Sequence, residues 1–126
     1  MTDAIHRYCE AYGAGDREGV VSAFALDGSV SFNRSAPIVG TSALREFHEQ
    51  VGNFNFRIER SYDIDATTQA VEGWMTVKKE GQELQDKAVA FAAIVELTGD
   101  KQQMQDLRLY YDVGSIMGAL EAAGLG

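Results

Sequence analysis

Apolar positions in the first part of the chain recur with the period of an amphipathic helix. Three segments with this period predict three helices. We expect Thr2 or Asp3 to cap the first, glycines at positions 13 and 15 to end it, Asp16 to cap the second, and Gly40 to precede the third. Their apolar sides consist, in chain order, of Ile5, Tyr8, Cys9 and Tyr12; Val20, Val21 and Phe24; and Leu44, Phe47 and Val51.

From Asn53 onward the apolar period changes to two, which is typical of half-buried strands. An earlier short strand is predicted to follow a turn at Asp27 and Gly28. A terminal helix capped by Ser115 and closed by Gly124 is predicted at the other end. The long strands are predicted over residues 54–64, 70–79, 86–97 and 103–112.

The order of these elements predicts the fold class. Two helices, a strand and a third helix precede four strands joined by hairpin-length connections, which favours an antiparallel meander. Helices gathered on one face of such a curved sheet make an α+β domain. A length of 126 residues suits one domain spanning 1–126.

Charge and apolar content restrict the partners. Eleven basic against nineteen acidic residues give a net charge of −8, with no basic stripe for a nucleic acid. The longest apolar run, 88–95, is too short to cross a bilayer, and the first residues lack the features of a signal peptide. Cys9 is the single cysteine, so no intrachain disulfide can form. We therefore expect a cytoplasmic protein with neither nucleic-acid nor membrane partners.

Few residues suggest chemistry by their spacing alone. There is no glycine-rich phosphate loop and no G-x-S-x-G motif, and His6 and His48 lie on different helices, so neither metal nor cofactor is expected. His6 and Cys9 could pair as imidazolium and thiolate, but a buried, inert cysteine is favoured. Asp112 could act on a ligand, although bonding the backbone where strand becomes helix is favoured.

Three stretches of the sequence resemble a known family. They read HRYCEAYGAGDREGVVSAFALDGSVSF, PIVGTSALREFHEQ and MQDLRLYYD. The chain is similar in these stretches, and in spacing over nearly its whole length, to the nuclear transport factor 2-like superfamily in its SnoaL-like and ketosteroid isomerase-like branch. The resemblance implies a cone-shaped α+β barrel, in which a curved antiparallel (mixed) sheet wraps around three N-terminal helices with cystatin-like topology and a short C-terminal helix follows. It also implies an apolar pocket and a homodimer.

The aromatic residues are candidates for the wall of that pocket. At helical and strand spacing they could equally form a solid core. The hollow under a strongly curved sheet favours the pocket. The predicted ligand-binding residues are Tyr12, Phe32, Phe47, Phe54, Phe56, Phe91 and Tyr111.

The resemblance also places the catalytic positions of ketosteroid isomerases on this chain. Tyr8 matches their oxyanion-binding tyrosine. Phe32 stands where they carry the general-base aspartate, and Ala93 where they carry a protonated aspartate. His48, which follows Phe47, replaces a further tyrosine. The isomerase base and acid are therefore missing here, and Tyr8 and His48 are the remaining candidate catalytic residues. Both are expected to line the pocket and to form a hydrogen bond with each other.

Three functions follow from these residues. The leading interpretation is a pocket protein that binds a small, mostly apolar molecule. The second is a cofactor-independent isomerase, dehydratase or lyase that uses His48 and Tyr8 as acid–base groups. The third is an interaction domain whose hollow is filled by its own side chains. The sequence does not decide whether the protein is an enzyme.

One strand predicts a homodimer. The segment 88–95 is apolar on both faces, whereas a half-exposed strand alternates apolar with polar residues. Its inner side would be Val89, Phe91, Ala93 and Val95. Because the helices are needed on the inner face, the outer face is expected to pair with a second copy of the chain. That outer face would consist of Ala88, Ala90, Ala92 and Ile94, with Trp74 as a possible neighbour.

Overall fold

The computed structural model describes residues 3–124, and the alternative cap Thr2 lies outside this range. Two single 3₁₀ turns, at His48–Gln50 and Gln85–Lys87, accompany the helices. The helices are α1 (Ala4–Gly13), α2 (Arg17–Ser22), α3 (Thr41–Phe47) and α4 (Val113–Ala122).

The sheet is mixed and curls into a half-barrel, which confirms the predicted α+β fold class. Its strand order is β2-β1-β7-β6-β4-β3, with β5 paired to one end of β4. The β1–β7 pair is parallel and the other pairs are antiparallel. The strands are β1 (Phe24–Phe32), β2 (Ile38–Val39), β3 (Phe54–Asp63), β4 (Thr68–Lys79), β5 (Gln82–Glu83), β6 (Val89–Leu97) and β7 (Met104–Tyr111).

Aspartates cap three of the helices. The side chain of Asp3 accepts a hydrogen bond at the start of α1, and that of Asp16 does so from Gly19 N at 2.9 Å in α2. These two caps were predicted. At the start of α4, Asp112 Oδ1 accepts from Ser115 N at 3.2 Å, so Ser115 lies inside the helix and its predicted capping role is wrong. Asp112 therefore has the structural role that was favoured for it.

The predicted turn at Asp27 and Gly28 is wrong, because β1 already begins at Phe24 and runs through both residues. The pairing of β1 with β7 shifts register between Phe24 and Ser29, so the strand bulges there. A Cβ at Gly28 would lie 2.9 Å from the carbonyl oxygen of Met104. The glycine therefore allows two backbones to approach closely within a strand.

A second bulge changes which face of β3 the later side chains occupy. Ile58 pairs with Gly73 but Arg60 pairs with Glu72, which leaves one extra residue in β3. The predicted unbroken alternation therefore fails, and Tyr62 lies beside Glu72 with its hydroxyl 2.9 Å from Glu72 Oε1. One inserted residue moves every following side chain to the opposite face.

The helices α1 to α3 cover the inner face of the sheet, and α4 packs near one end of it against Val77, Leu84 and Phe54. Of the predicted inner side chains of β6, Phe91, Ala93 and Val95 are buried and Val89 is half-buried, whereas Ala90 and Trp74 on the outer face are exposed. The strand itself begins at Val89 and not at position 86, because the 3₁₀ turn occupies the preceding residues. Among residues 3–124, none of the helices is long and apolar enough to cross a membrane.

Candidate functional site

A cavity of about 350 Å³ opens between the helices and the inner face of the sheet. Rings contribute six of its seven lining side chains, and none of the seven is a charged residue. We call it the aromatic cavity. Its lining residues are Tyr12, Phe32, Phe47, Phe54, Phe56, Met75 and Tyr111.

The strand periodicity explains why these rings face one another. Phe54 and Phe56 occupy alternate, inward positions of β3, opposite Val77 and Met75 of β4. From the helical side, the Tyr12 ring meets Phe56 edge-on, with ring centroids 5.0 Å apart. Edge-to-face contacts of this kind hold aromatic walls in defined orientations.

The opposite wall is built from β1, α3 and β7. The rings of Phe32 and Phe47 lie 5.2 Å apart, and those of Phe32 and Tyr111 lie 6.4 Å apart. The side-chain oxygen of Asn33 accepts a hydrogen bond of 2.8 Å from Tyr111 N, which ties the ends of β1 and β7 together. Two separate strands thus present one continuous aromatic surface.

Six of the seven residues predicted to bind a ligand line this cavity, and Phe91 does not. Its ring lies 5.5 Å from that of Phe56, and the side chain is buried in the core. Met75 is the lining residue that the sequence analysis missed. Its position opposite Phe56 could have indicated it, but that pairing requires the register of β3 and β4.

The two candidate catalytic residues, Tyr8 and His48, form the expected hydrogen bond but lie behind the cavity wall. The Tyr8 hydroxyl is 3.1 Å from His48 Nε2, and both side chains are almost fully buried. Nδ1 of His48 lies 2.7 Å from the carbonyl oxygen of Leu44, so Nδ1 carries a proton and donates it there. In a neutral imidazole Nε2 is then the acceptor, and the Tyr8 O–H donates to it.

Burial keeps this pair uncharged. It lowers the pKa of His48, although the hydrogen bond to Leu44 opposes the shift, and it raises the pKa of Tyr8 well above the usual value. The Tyr8 hydroxyl has a single proton, and its hydrogen bond to His48 uses that proton. The expectation that Tyr8 and His48 line the cavity is therefore wrong, because the bond to Leu44 holds the imidazole in the core.

The remaining candidate groups have structural surroundings. Burial raises the pKa of the Cys9 thiol to about 12, so the thiolate needed for a nucleophile is disfavoured. His6 bonds to Asp3, with Nδ1 and Oδ1 2.6 Å apart. Within residues 3–124, no three His, Cys, Asp or Glu side chains are grouped so that they could hold a metal ion.

No protein-family model matches the sequence, but many solved structures match the fold. A hypothetical protein with a ketosteroid isomerase-like fold from Catenulispora acidiphila, in complex with trimethylamine, superposes with a TM-score of 0.75 over 98% of this chain and 93% of its own, at 17% identity. TerC, co-crystallised with polyporic acid, gives 0.74 over 94% and 95%, at 15% identity.

The chain has the nuclear transport factor 2-like fold. A proposed SnoaL-like polyketide cyclase from Jannaschia shares it, with a TM-score of 0.70 over 94% of this chain and 90% of its own, at 16% identity. The solved neighbours are thus of the SnoaL-like and ketosteroid isomerase-like kinds that the sequence resembles. Identities this low establish the nuclear transport factor 2-like fold and no activity.

Proposed function

We propose that this protein binds a small, mostly apolar ring molecule in the aromatic cavity. The observation that carries the proposal is the wall itself: six rings and one thioether around about 350 Å³. This space would hold about twelve water molecules at about 30 Å³ each, which suits a ligand of one or two rings. Apolar walls with a few polar groups are typical of small-molecule sites.

The acid–base alternative is not favoured by the geometry. The Tyr8 proton is donated to His48 and the imidazole proton to Leu44, so neither residue presents a free O–H or N–H to the cavity. A general acid or base must come within hydrogen-bonding distance of the atom it serves. The pair instead satisfies two buried polar groups.

The interaction-domain alternative predicts a hollow filled by the protein's own side chains, whereas a cavity is present. Two proteins of the same fold, the one from Catenulispora acidiphila and TerC, were solved with trimethylamine and polyporic acid respectively. Small-molecule binding by those neighbours supports the same general role for this chain. A cytoplasmic location is proposed on its single, buried cysteine.

Titration with a two-ring hydrocarbon tests the proposal. 2-Isopropenylnaphthalene has no hydrogen-bonding group, so it reports the apolar cavity alone. We expect saturable shifts of backbone amide signals in ¹H–¹⁵N NMR spectra at the lining residues and not on the outer face of the sheet. Shifts confined to the surroundings of Trp74, or none at all, would contradict the proposal.

A charge on the wall provides the control. Phe32→Asp places a carboxylate in the aromatic cavity and should weaken binding of the hydrocarbon at least about tenfold, since burying a charge without a partner is strongly unfavourable. Leu26→Asp introduces the same carboxylate on the same strand, at a side chain that is 86% exposed, and should leave binding unchanged. Equal effects of the two substitutions would place the ligand elsewhere.

We also propose that two copies of the chain pair through the outer face of the sheet. The helix α4 packs against Val77 and Leu84 and does not cover this face. Charged residues, including Arg108 with Glu96, lie beside the apolar ones and suit the rim of an interface. The apolar residues of the proposed interface are Ala70, Trp74, Ala90, Ala92 and Ile94, and Glu72 lies among them opposite Ala92.

A further inference from the structure

Among the residues that line the aromatic cavity, Tyr111 combines a hydrogen-bonded backbone N–H with a hydroxyl that bonds to no other group of residues 3–124. It is the last residue of β7 and pairs with Phe91, an inward position of β6. Its backbone N–H is held by Asn33, and its ring packs near Phe32. The side chain is thus directed at the aromatic cavity by two neighbouring strands.

The hydroxyls of three other tyrosines have partners. Tyr8 bonds to His48, Tyr12 donates to Asn53 Oδ1 at 3.3 Å, and Tyr62 donates to Glu72. Within residues 3–124, the hydroxyl of Tyr111 has no hydrogen-bond partner in the protein. The same holds for Tyr110, but that side chain lies on the outer face of the sheet, opposite Ala92.

Tyr111 is therefore the residue of the wall that has a proton to donate to a ligand. The Tyr12 proton is already directed at Asn53, and the other five lining side chains have no O–H or N–H. Partial burial raises the pKa of Tyr111, so the group is a neutral O–H near neutral pH. This hydroxyl is accessible to water, so an acceptor on a ligand that replaces water beside it gives a modest net gain in binding.

We infer that the Tyr111 hydroxyl donates a hydrogen bond to the ligand and so selects an uncharged ring compound with an acceptor oxygen, such as a carbonyl, at one edge. The inference rests on the proposed binding function. No lysine or arginine lines the aromatic cavity to neutralise a carboxylate or enolate, which argues against an anionic ligand. An alkylammonium ligand has no lone pair to accept the proton of Tyr111.

A pair of ligands with the same shape tests the inference. 2-Acetonaphthone and 2-isopropenylnaphthalene differ in a carbonyl oxygen that replaces a methylene group. Their dissociation constants are measured by NMR titration of the wild type, Tyr111→Phe and Tyr110→Phe. The two substitutions remove adjacent hydroxyls from the same strand, one facing the cavity and one facing the outer side, so Tyr110→Phe is the matched control.

We expect Tyr111→Phe to weaken binding of the ketone about 2- to 12-fold, the range for one net hydrogen bond, and to change binding of the hydrocarbon less than about twofold. Tyr110→Phe should change neither. Equal effects of Tyr111→Phe on both ligands, or no effect on the ketone, would overturn the role of Tyr111 while leaving the binding function intact. Failure of both ligands to bind the wild type would instead refute the binding function, and this inference with it.

Discussion

The hydroxyl of Tyr8 and Nε2 of His48 lie 3.1 Å apart in the core, and the second imidazole nitrogen bonds to Leu44. Tyr8 is the residue that the resemblance matches to the oxyanion-binding tyrosine of ketosteroid isomerases. Its proton, however, is directed at a neighbouring side chain. A group that is catalytic in one sequence can be a satisfied structural group in another, depending on where its hydrogen bond goes.

Tyr8→Phe should destabilise the protein by about 1–3 kcal/mol, because it leaves Nε2 of the buried His48 without a donor. The change is measured as the free energy of unfolding in urea. The control is Tyr12→Phe, which removes a more exposed bond to Asn53 and should cost less than about 0.5 kcal/mol. A destabilisation by Tyr12→Phe as large as that by Tyr8→Phe would contradict the structural role of the pair.

The free energy of unfolding should decrease as the pH is lowered through the range in which His48 takes up a proton. Burial places the folded-state pKa of this histidine below its ordinary value of 6.5, so the unfolded chain binds the proton more readily. The contribution of neutral His48 is complete above pH 6.5 and is lost as the pH falls from 6.5 toward the folded-state pKa. Urea denaturation of the wild type and of His48→Gln, from about pH 8 to about pH 5, measures it.

In His48→Gln, the free energy of unfolding should no longer decrease with falling pH over the range in which His48 titrates. The carboxylates of Asp65 and Glu83, whose pKa values are lowered by hydrogen bonds to Thr67 and Thr76, contribute in a separate window at lower pH. Their contribution is present above their ordinary pKa values of 3.8 and 4.5 and disappears as the pH falls further. Identical slopes above pH 5 in the wild type and His48→Gln would exclude His48 as the cause.

The protein should not isomerise a 3-oxo-Δ5-steroid at the rate of a true ketosteroid isomerase. Phe32 and Ala93 stand at the positions that the resemblance matches to the base and the acid, and absence of a general base alone lowers the rate about 10²–10⁴-fold. The measurement is the change in ultraviolet absorbance as the conjugated ketone forms. Efficient turnover would mean that another residue supplies the base.

Bulges account for much of what the sequence could not predict. Helix caps such as Asp3 and Asp16 depend on residues within one turn, so local patterns predict them. The bulge after Ile58 depends on the approach of β4, where a Cβ at Gly73 would lie 1.9 Å from the carbonyl oxygen of Arg57. Such contacts join residues distant in sequence, and no local period reveals them.

The sequence predicted which aromatic residues line the cavity more accurately than it predicted how far each candidate side chain lies from it. Alternation along β3 identified Phe54 and Phe56 as inward residues, and the structure places both on the cavity wall. Spacing could not show that His48 begins a 3₁₀ turn after α3, where its bond to Leu44 keeps the imidazole behind the ring of Phe47. The position of the His48 side chain behind the cavity wall depends on how α3 ends, and the apolar period of the helix does not predict that.

The protein should be a homodimer at micromolar concentration, and Ile94→Glu should make it monomeric. Ile94 lies on the outer face beside Ala70 and Arg108. The carboxylate introduced by the substitution would be buried there when two copies associate, which is unfavourable. Leu26→Glu, at an exposed apolar side chain away from that face, is the control and should leave the dimer intact. Sedimentation equilibrium distinguishes the two states, and a monomeric wild type would refute the proposed interface.

A crystal structure of the wild-type protein grown with 2-acetonaphthone tests the binding function most directly. We predict electron density for the two rings among Phe32, Phe54 and Phe56, with the ketone oxygen within about 3 Å of the Tyr111 hydroxyl. An unoccupied aromatic cavity at saturating ligand, or ligand density only in the groove beside Trp74, would contradict the account.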